Sequence, residues 1–238
     1  MKHPFIIGAG GVASYLIPCL LKAFKPEKLT LIDKDVLEKR NLDRQLFDKS
    51  CIGANKASAL LGMMSEAHGR WSKEDNCPQG DWAVITEWFT ATTAIPDDVD
   101  AIICVADNHE ARRNAIQAAY AKGIRCYLGG NEYFDAEAYV TWAEHEGTKL
   151  DPRVRYPAIA TSHEGSPLRC QGEEQEIHPQ LAIANHRCAG HLMHLLHVWE
   201  RVFPELGWDD ANQVKDHYPL EISSSLTTTT TLSASFFK

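Results

Sequence analysis

Phe5-Ile6-Ile7-Gly8-Ala9-Gly10-Gly11-Val12-Ala13-Ser14 is the stretch that decides the fold. Three apolar residues end in a glycine turn, and apolar residues then return at helical spacing over 12–22, which reads as strand, tight turn and helix. Gly8, Gly10 and Ala13 satisfy a GxGxxG/A pattern in that setting, with Gly11 extending the run of small residues. Small residues here let backbone amides and the positive end of a helix approach a phosphate, because any larger side chain would fill the space. A tight turn with no ligand leaves the same trace, so the glycines alone do not settle the chemistry.

Working outward, 29–32 is a second strand, and Asp33 follows 25 residues after Gly8. That is close to the ~20 residues expected of an acid that accepts hydrogen bonds from ribose hydroxyls. Asp35 extends the acidic strand end. Residues 54–64 read as a helix, 69–80 as a polar loop and 84–89 as a further strand. The run Ala101-Ile102-Ile103-Cys104-Val105 is of the kind buried on both faces of a parallel sheet. Asn108 is placed to cap a helix that reaches Lys122, Gly123 stops it, and 125–128 supplies another strand. This alternation predicts an α/β, doubly wound, Rossmann-like domain with a mostly parallel sheet. All 238 residues are expected to form one domain, with a nucleotide-binding core over 1–130.

Past residue 130 the pattern changes. A strand is expected at 138–143, and 144–177 is a long polar crossover loop broken by Pro152, Pro157 and Pro167. Segments of that length usually serve as lids or binding segments. Residues 181–202 read as an amphipathic packing helix, and 220–237 as a closing strand pair or a partly ordered end.

A formal charge of -8 disfavours wholesale docking onto a nucleic-acid backbone, which needs a dense basic surface. No apolar run approaches the ~18 residues that span a bilayer, so no membrane partner is expected. The first strand starts almost at Met1, which argues against a secretory leader, and seven scattered cysteines suit reduced thiols. A cytoplasmic location is expected.

Arg44 and Lys56 follow the second strand. Two cations do little for hydride transfer. They make sense where a triphosphate is held and its departing pyrophosphate must be neutralised. Asp107 follows the 101–105 run and so belongs at the carboxyl end of a central strand, where open parallel sheets bind ligands. A carboxylate there can hold Mg2+ against phosphate oxygens, or it can simply cap the next helix.

In order and spacing, Gly8-Ala9-Gly10-Gly11-Val12, Asp33-Lys34-Asp35, Asn41-Leu42-Asp43-Arg44-Gln45, Gly53-Ala54-Asn55-Lys56-Ala57 and Asp107-Asn108 with Arg112 resemble the ThiF/MoeB/HesA family and its ubiquitin-activating relatives. The resemblance covers roughly residues 5–130. It implies an enzyme that binds ATP and Mg2+ and adenylates the C-terminal carboxylate of a small ubiquitin-like or sulfur-carrier protein. Asp33 would hold the ribose, Arg44 and Lys56 the phosphates, and Asp107 the metal, with Asn41 and Gln45 supporting the phosphate site. Gly8, Gly10, Gly11, Asp35 and Asn108 complete the implied nucleotide site. Relatives are commonly homodimers, and the 181–202 helix could serve that contact.

Departures from the family pattern also carry expectations. Relatives usually present an arginine from a helix ahead of the first strand to the partner's ATP, and here that arginine is expected to be missing or to come from elsewhere. No CxxC pair occurs in the sequence, so the zinc site of many relatives is not expected. Transfer of the activated carboxylate to sulfur would need an exposed thiol, for which Cys170, preceded by Arg169 in the proline-broken segment, is the best placed. Cys104, Cys126 and Cys188 read as packing residues. His191, His194 and His197 drift around their helix at three-residue steps and read as a polar face rather than a metal site. Two other functions fit the same residues: an oxidoreductase holding NAD through Gly8, Gly10 and Asp33, and a non-catalytic interaction protein that keeps the nucleotide fold.

Overall fold

The computed structural model of the chain describes residues 1–75, 80–131, 135–161, 182–205, 219–225 and 233–235. They form an eight-stranded sheet in the order β3-β2-β1-β4-β5-β6-β7-β8. The parallel part comprises β1 (Pro4–Ile7), β2 (Lys28–Ile32), β3 (Asp81–Ile85), β4 (Ala101–Cys104) and β5 (Arg125–Asn131). The antiparallel part adds β6 (Asp135–Thr141), β7 (Glu221–Ser225) and β8 (Ser233–Ser235).

Period-two alternation builds three layers from these strands. Ala101 and Ile103 of β4 turn to one face, where α1 (Gly11–Phe24), α2 (Lys56–Asp75) and α6 (Ala182–His197) cover the sheet. Ile102 and Cys104 turn to the other, against α3 (His109–Lys122) and the short α5 (Pro157–Thr161), which follows α4 (Pro152–Arg155). Because both faces are covered, all four residues of β1 and all four of β4 are buried. Cys104, Cys126 and Cys188 are packing residues as expected, and burial pushes the Cys104 thiol up to about 11 and that of Cys188 to about 12.

Several boundaries differ from the sequence reading. α2 continues through 69–75, which had read as loop, because one glycine costs a helix only about 1 kcal/mol and the first proline comes at Pro78. β3 occupies Asp81–Ile85 rather than 84–89, so Glu87, Trp88 and Phe89 lie beyond the sheet. β6 begins at Asp135 and ends at Thr141, earlier than 138–143. The polar 144–177 segment includes α4 and α5, and 162–181 lie outside the described residues. The tail supplies the closing pair β7 and β8. No helix among the described residues is long and apolar enough to cross a membrane.

β1 has β2 on one side and β4 on the other, so the chain leaves β1 in one direction and returns to it from the opposite one. A crevice opens at such a switch point, beyond the carboxyl ends of the strands.

Candidate nucleotide-binding site

An open cleft lies at this switch point. Ile7, Ile32 and Val105 at the strand ends form its floor. The glycine turn forms one wall. Gly8 has φ +93°, and a Cβ there would stand 2.9 Å from the Ala106 backbone nitrogen, so no other residue fits without moving that strand end. At Gly10 a Cβ would meet nothing nearer than the Gln45 amide nitrogen at 4.0 Å, and since Gly10 lines the cleft it would occupy ligand space. α1 begins immediately after, with no side-chain cap and no acid in its first turn. Its N–H groups and positive dipole end are left for an anion.

Asp33 is fixed by that same turn. Its Oδ2 accepts from the Ala9 amide at 2.6 Å and its Oδ1 from the Asp35 amide at 2.8 Å. Burial pushes its carboxyl above the ordinary range, against the pull of these two hydrogen bonds and of Lys56. Asn55 ties the acidic strand end to α2: its amide donates to the Asp33 carbonyl at 2.7 Å, while its Oδ1 accepts from the Ser58 amide at 3.0 Å as an N-cap. Lys56 is thereby held next to Asp35, with Nζ 3.0 Å from Oδ2. Asp35 is half exposed, so the pair contributes less than about 1 kcal/mol and yields readily to a phosphate.

Asn108 is the cap of α3, its Oδ1 accepting from the Ala111 amide at 2.7 Å, and Asp107 is exposed on the cleft wall. Arg112, one turn further on, lies buried beneath it, donating from Nε to the Ala106 carbonyl at 3.1 Å.

Gly8, Gly10, Gly11, Asp33, Asp35, Gln45, Lys56, Asp107 and Asn108 therefore converge on one cleft. Arg44 and Asn41 do not line it. The Arg44 guanidinium folds back, donating to the Arg40 carbonyl and to Asp43, both at 2.8 Å. Asn41 is buried in a short turn, where its Oδ1 accepts from the Glu38 amide at 2.9 Å and closes a capping box. It shapes the loop. Gln45 does reach the cleft, and its Oε1 is buried without a hydrogen-bond partner among the described residues. Cys170 lies outside the described residues.

The sequence reading overlooked residues that arrive from the far end of the chain. Asn131 ends β5 on the cleft wall and donates to Asn185 Oδ1 at 2.9 Å. Asn185, fully buried on α6, donates in turn to the Arg44 carbonyl at 3.0 Å and fills the space above Gly11. One amide thus joins α6, β5, the start of α1 and the loop bearing Gln45. Gly129-Gly130, a glycine pair inside a strand, was the available signal, because it marks a close approach by another element. Lys34 and Trp88 also line the cleft, with the ammonium 3.8 Å from the indole centroid.

No three His, Cys, Asp or Glu among the described residues are grouped to hold a metal by themselves. His191 is engaged in packing: its Nε2 is 2.8 Å from Ser224 Oγ on β7, and burial, with Arg187 and His194 nearby, lowers its pKa to about 4.

A family model described as the ThiF family matches residues 1–198. The chain belongs to the ThiF family. Among solved structures, PaaA is similar to this ThiF-family chain at 17% identity and a TM-score of 0.61, covering 99% of this chain and 64% of its own. MccB of E. coli is similar in a complex with ATP, at 13% identity and a TM-score of 0.60, with 99% of this chain and 64% of that chain covered. MccB with AMPCPP and MccA gives 13% identity and a TM-score of 0.62 over the same shares, 99% and 64%. At these identities the likeness is one of fold, and the chain spans a little under two thirds of the length of those structures. No curated protein sequence matches the chain.

Proposed function

We propose that this ThiF-family chain uses ATP to adenylate a carboxylate, that of the C-terminus of a small ubiquitin-like or sulfur-carrier protein, and releases pyrophosphate. The observation that carries the reading is the convergence of the glycine turn, Asp33, Lys56 and Asp107 on one cleft. MccB, which shares the fold, has been seen with ATP, and the proposal extends that ligand to this chain.

The cleft fits a nucleotide carried with a divalent cation. Its wall is glycine where a Cβ would block it, and its charged lining comprises Lys34, Lys56 and Arg112 against Asp33, Asp35, Glu87 and Asp107. Four acids against three cations cannot by themselves attract a polyanion. Mg2+ held by Asp107 together with phosphate oxygens would reverse that balance, supplying positive charge for the electrons that move onto pyrophosphate.

The residues then divide the work. Asp33 accepts from the ribose hydroxyls, Lys56 leaves Asp35 for the phosphates, and the amides at the start of α1 take a phosphate oxygen. Arg44, anchored through its carbonyl by Asn185, turns its side chain from Asp43 toward the phosphates, where Gln45 also donates. A carboxylate oxygen of the substrate attacks the α-phosphorus, the bond to the bridging oxygen breaks, and pyrophosphate departs with the negative charge. No proton changes hands. Placement and charge neutralisation carry the catalysis, which is why the cleft needs no general base. A homodimer and a cytoplasmic location belong to the same proposal, as does Cys170 as the thiol of a later transfer.

ATP–pyrophosphate exchange, measured with and without a small protein ending in Gly-Gly, tests the reading. Exchange that depends on that protein is the expected result. Hydride transfer to NAD, with no exchange under any condition, would overturn it.

A further inference from the structure

Trp88 sits just past the end of β3, on the cleft wall, with 49% of its surface exposed. An indole half exposed on a cleft wall offers a large flat apolar face against which a ring can pack. Its neighbour Phe89 is buried and packs on Phe5 of β1, ring centroids 6.0 Å apart, so the backbone that presents the indole is anchored to the central strand. The Lys34 ammonium stands 3.8 Å from the indole centroid, a cation–π contact that restrains the ring. Lys34 itself lies between Asp33 and Asp35, so the indole is tied to the residue assigned to the ribose.

We propose that Trp88 is the stacking platform for the nucleotide base and that Lys34 is the positioning residue that holds the indole for it. An indole has two faces, and a cation on one leaves the other for a planar, uncharged ring. Stacking is tolerant of base identity but grows with the area covered, so a purine gains more than a pyrimidine from this platform. The ligand class is a purine nucleotide. This inference rests on the ATP reading above and adds to it the group that grips the base, which neither the glycine turn nor Lys56 and Asp107 can do.

Calorimetric titration of the full chain with ATP, CTP and inorganic tripolyphosphate, each with Mg2+, tests the proposal in Trp88→Ala, Trp88→Phe and Lys34→Met. Trp88→Ala is expected to weaken ATP by about 5- to 100-fold, CTP by less, and tripolyphosphate not at all. Trp88→Phe should restore most of the ATP affinity, and Lys34→Met should weaken ATP by a smaller factor than Trp88→Ala. Tryptophan emission should be quenched by ATP in the unaltered chain and not in Trp88→Phe. If Trp88→Ala binds ATP as tightly as the unaltered chain, or loses tripolyphosphate to the same degree, the stacking role is overturned while the ATP reading stands. If the unaltered chain binds no ATP, both are overturned.

Discussion

β1 and β5 both run into glycines at the carboxyl edge of the sheet, and comparing the two ends shows how one residue type serves opposite purposes. At the end of β1, Gly8 takes a positive φ against Ala106 and Gly10 keeps the cleft open, so the missing side chains make room for a ligand. At the end of β5, a Cβ on Gly129 would stand 2.8 Å from Leu192 and 3.0 Å from the Cys188 sulfur, so there the missing side chain makes room for α6. That helix brings Asn185 down onto Gly11 and the Arg44 carbonyl. The parallel half of the sheet carries the groups that would touch the nucleotide, and the antiparallel half with its helix fixes where they stand.

One methyl group added at each end should separate the two roles. Gly10→Ala should weaken ATP binding about 10- to 100-fold while leaving the thermal midpoint unchanged, because the methyl enters ligand space and touches no packed atom. Gly129→Ala should do the reverse, costing about 1–3 kcal/mol in denaturant unfolding as α6 is pushed outward, with a smaller effect on ATP affinity. If Gly129→Ala were the more damaging to binding at unchanged stability, the division of labour would be wrong.

Asn185→Ala probes the link between the halves. It removes the acceptor of the Asn131 bond and the donor to the Arg44 carbonyl, at a cost of about 1–3 kcal/mol. ATP affinity should fall further than that loss of stability alone accounts for, read as a rise in KM for ATP with kcat less affected. Equal ATP affinity would make Asn185 a packing residue.

The smallest expected effect is on pH dependence in the antiparallel half. His191 is held neutral, with its pKa lowered from 6.5 to about 4, whereas in the unfolded chain it protonates near 6.5. Acid therefore favours unfolding across that window: stability is full above 6.5, declines toward pH 4 and is flat below. His191→Gln should flatten the decline in thermal midpoint over those values. An unaltered slope would assign it to other groups. ATP binding should show its own acid limb, since the raised carboxyl of Asp33 loses its ionised form at a higher pH than an ordinary aspartate would.

Strand, glycine turn, helix and acid are local features: their spacing is fixed by one βαβ unit, so β1, α1, β2 and the end bearing Asp33 could be read directly, and the apolar run of β4 marked the end bearing Asp107. Helix capping was readable too, since Asn108 is followed by a helical pattern that Gly123 terminates. The direction of a side chain was not. Arg44 stands in the same motif as Gln45, and nothing in the order of residues says that its guanidinium folds onto Asp43 while Gln45 reaches the cleft. Asn185 and Asn131 were illegible for a different reason: Asn185 meets the Arg44 carbonyl only through tertiary packing across 141 residues of chain, and Asn131 meets Asn185 across 54. Trp88 was hidden by a register error, having been placed inside a strand that ends at Ile85.

A cleft that takes ATP together with Mg2+ through Asp107 would bind the nucleotide more tightly when the cation is present. Titrating ATP into the chain with and without Mg2+, and into Asp107→Ala under both conditions, tests it most directly. Mg2+ is expected to tighten ATP binding to the unaltered chain by at least about tenfold, and this gain is expected to vanish in Asp107→Ala. ATP affinity indifferent to both Mg2+ and Asp107, or NAD bound more tightly than ATP, would contradict it.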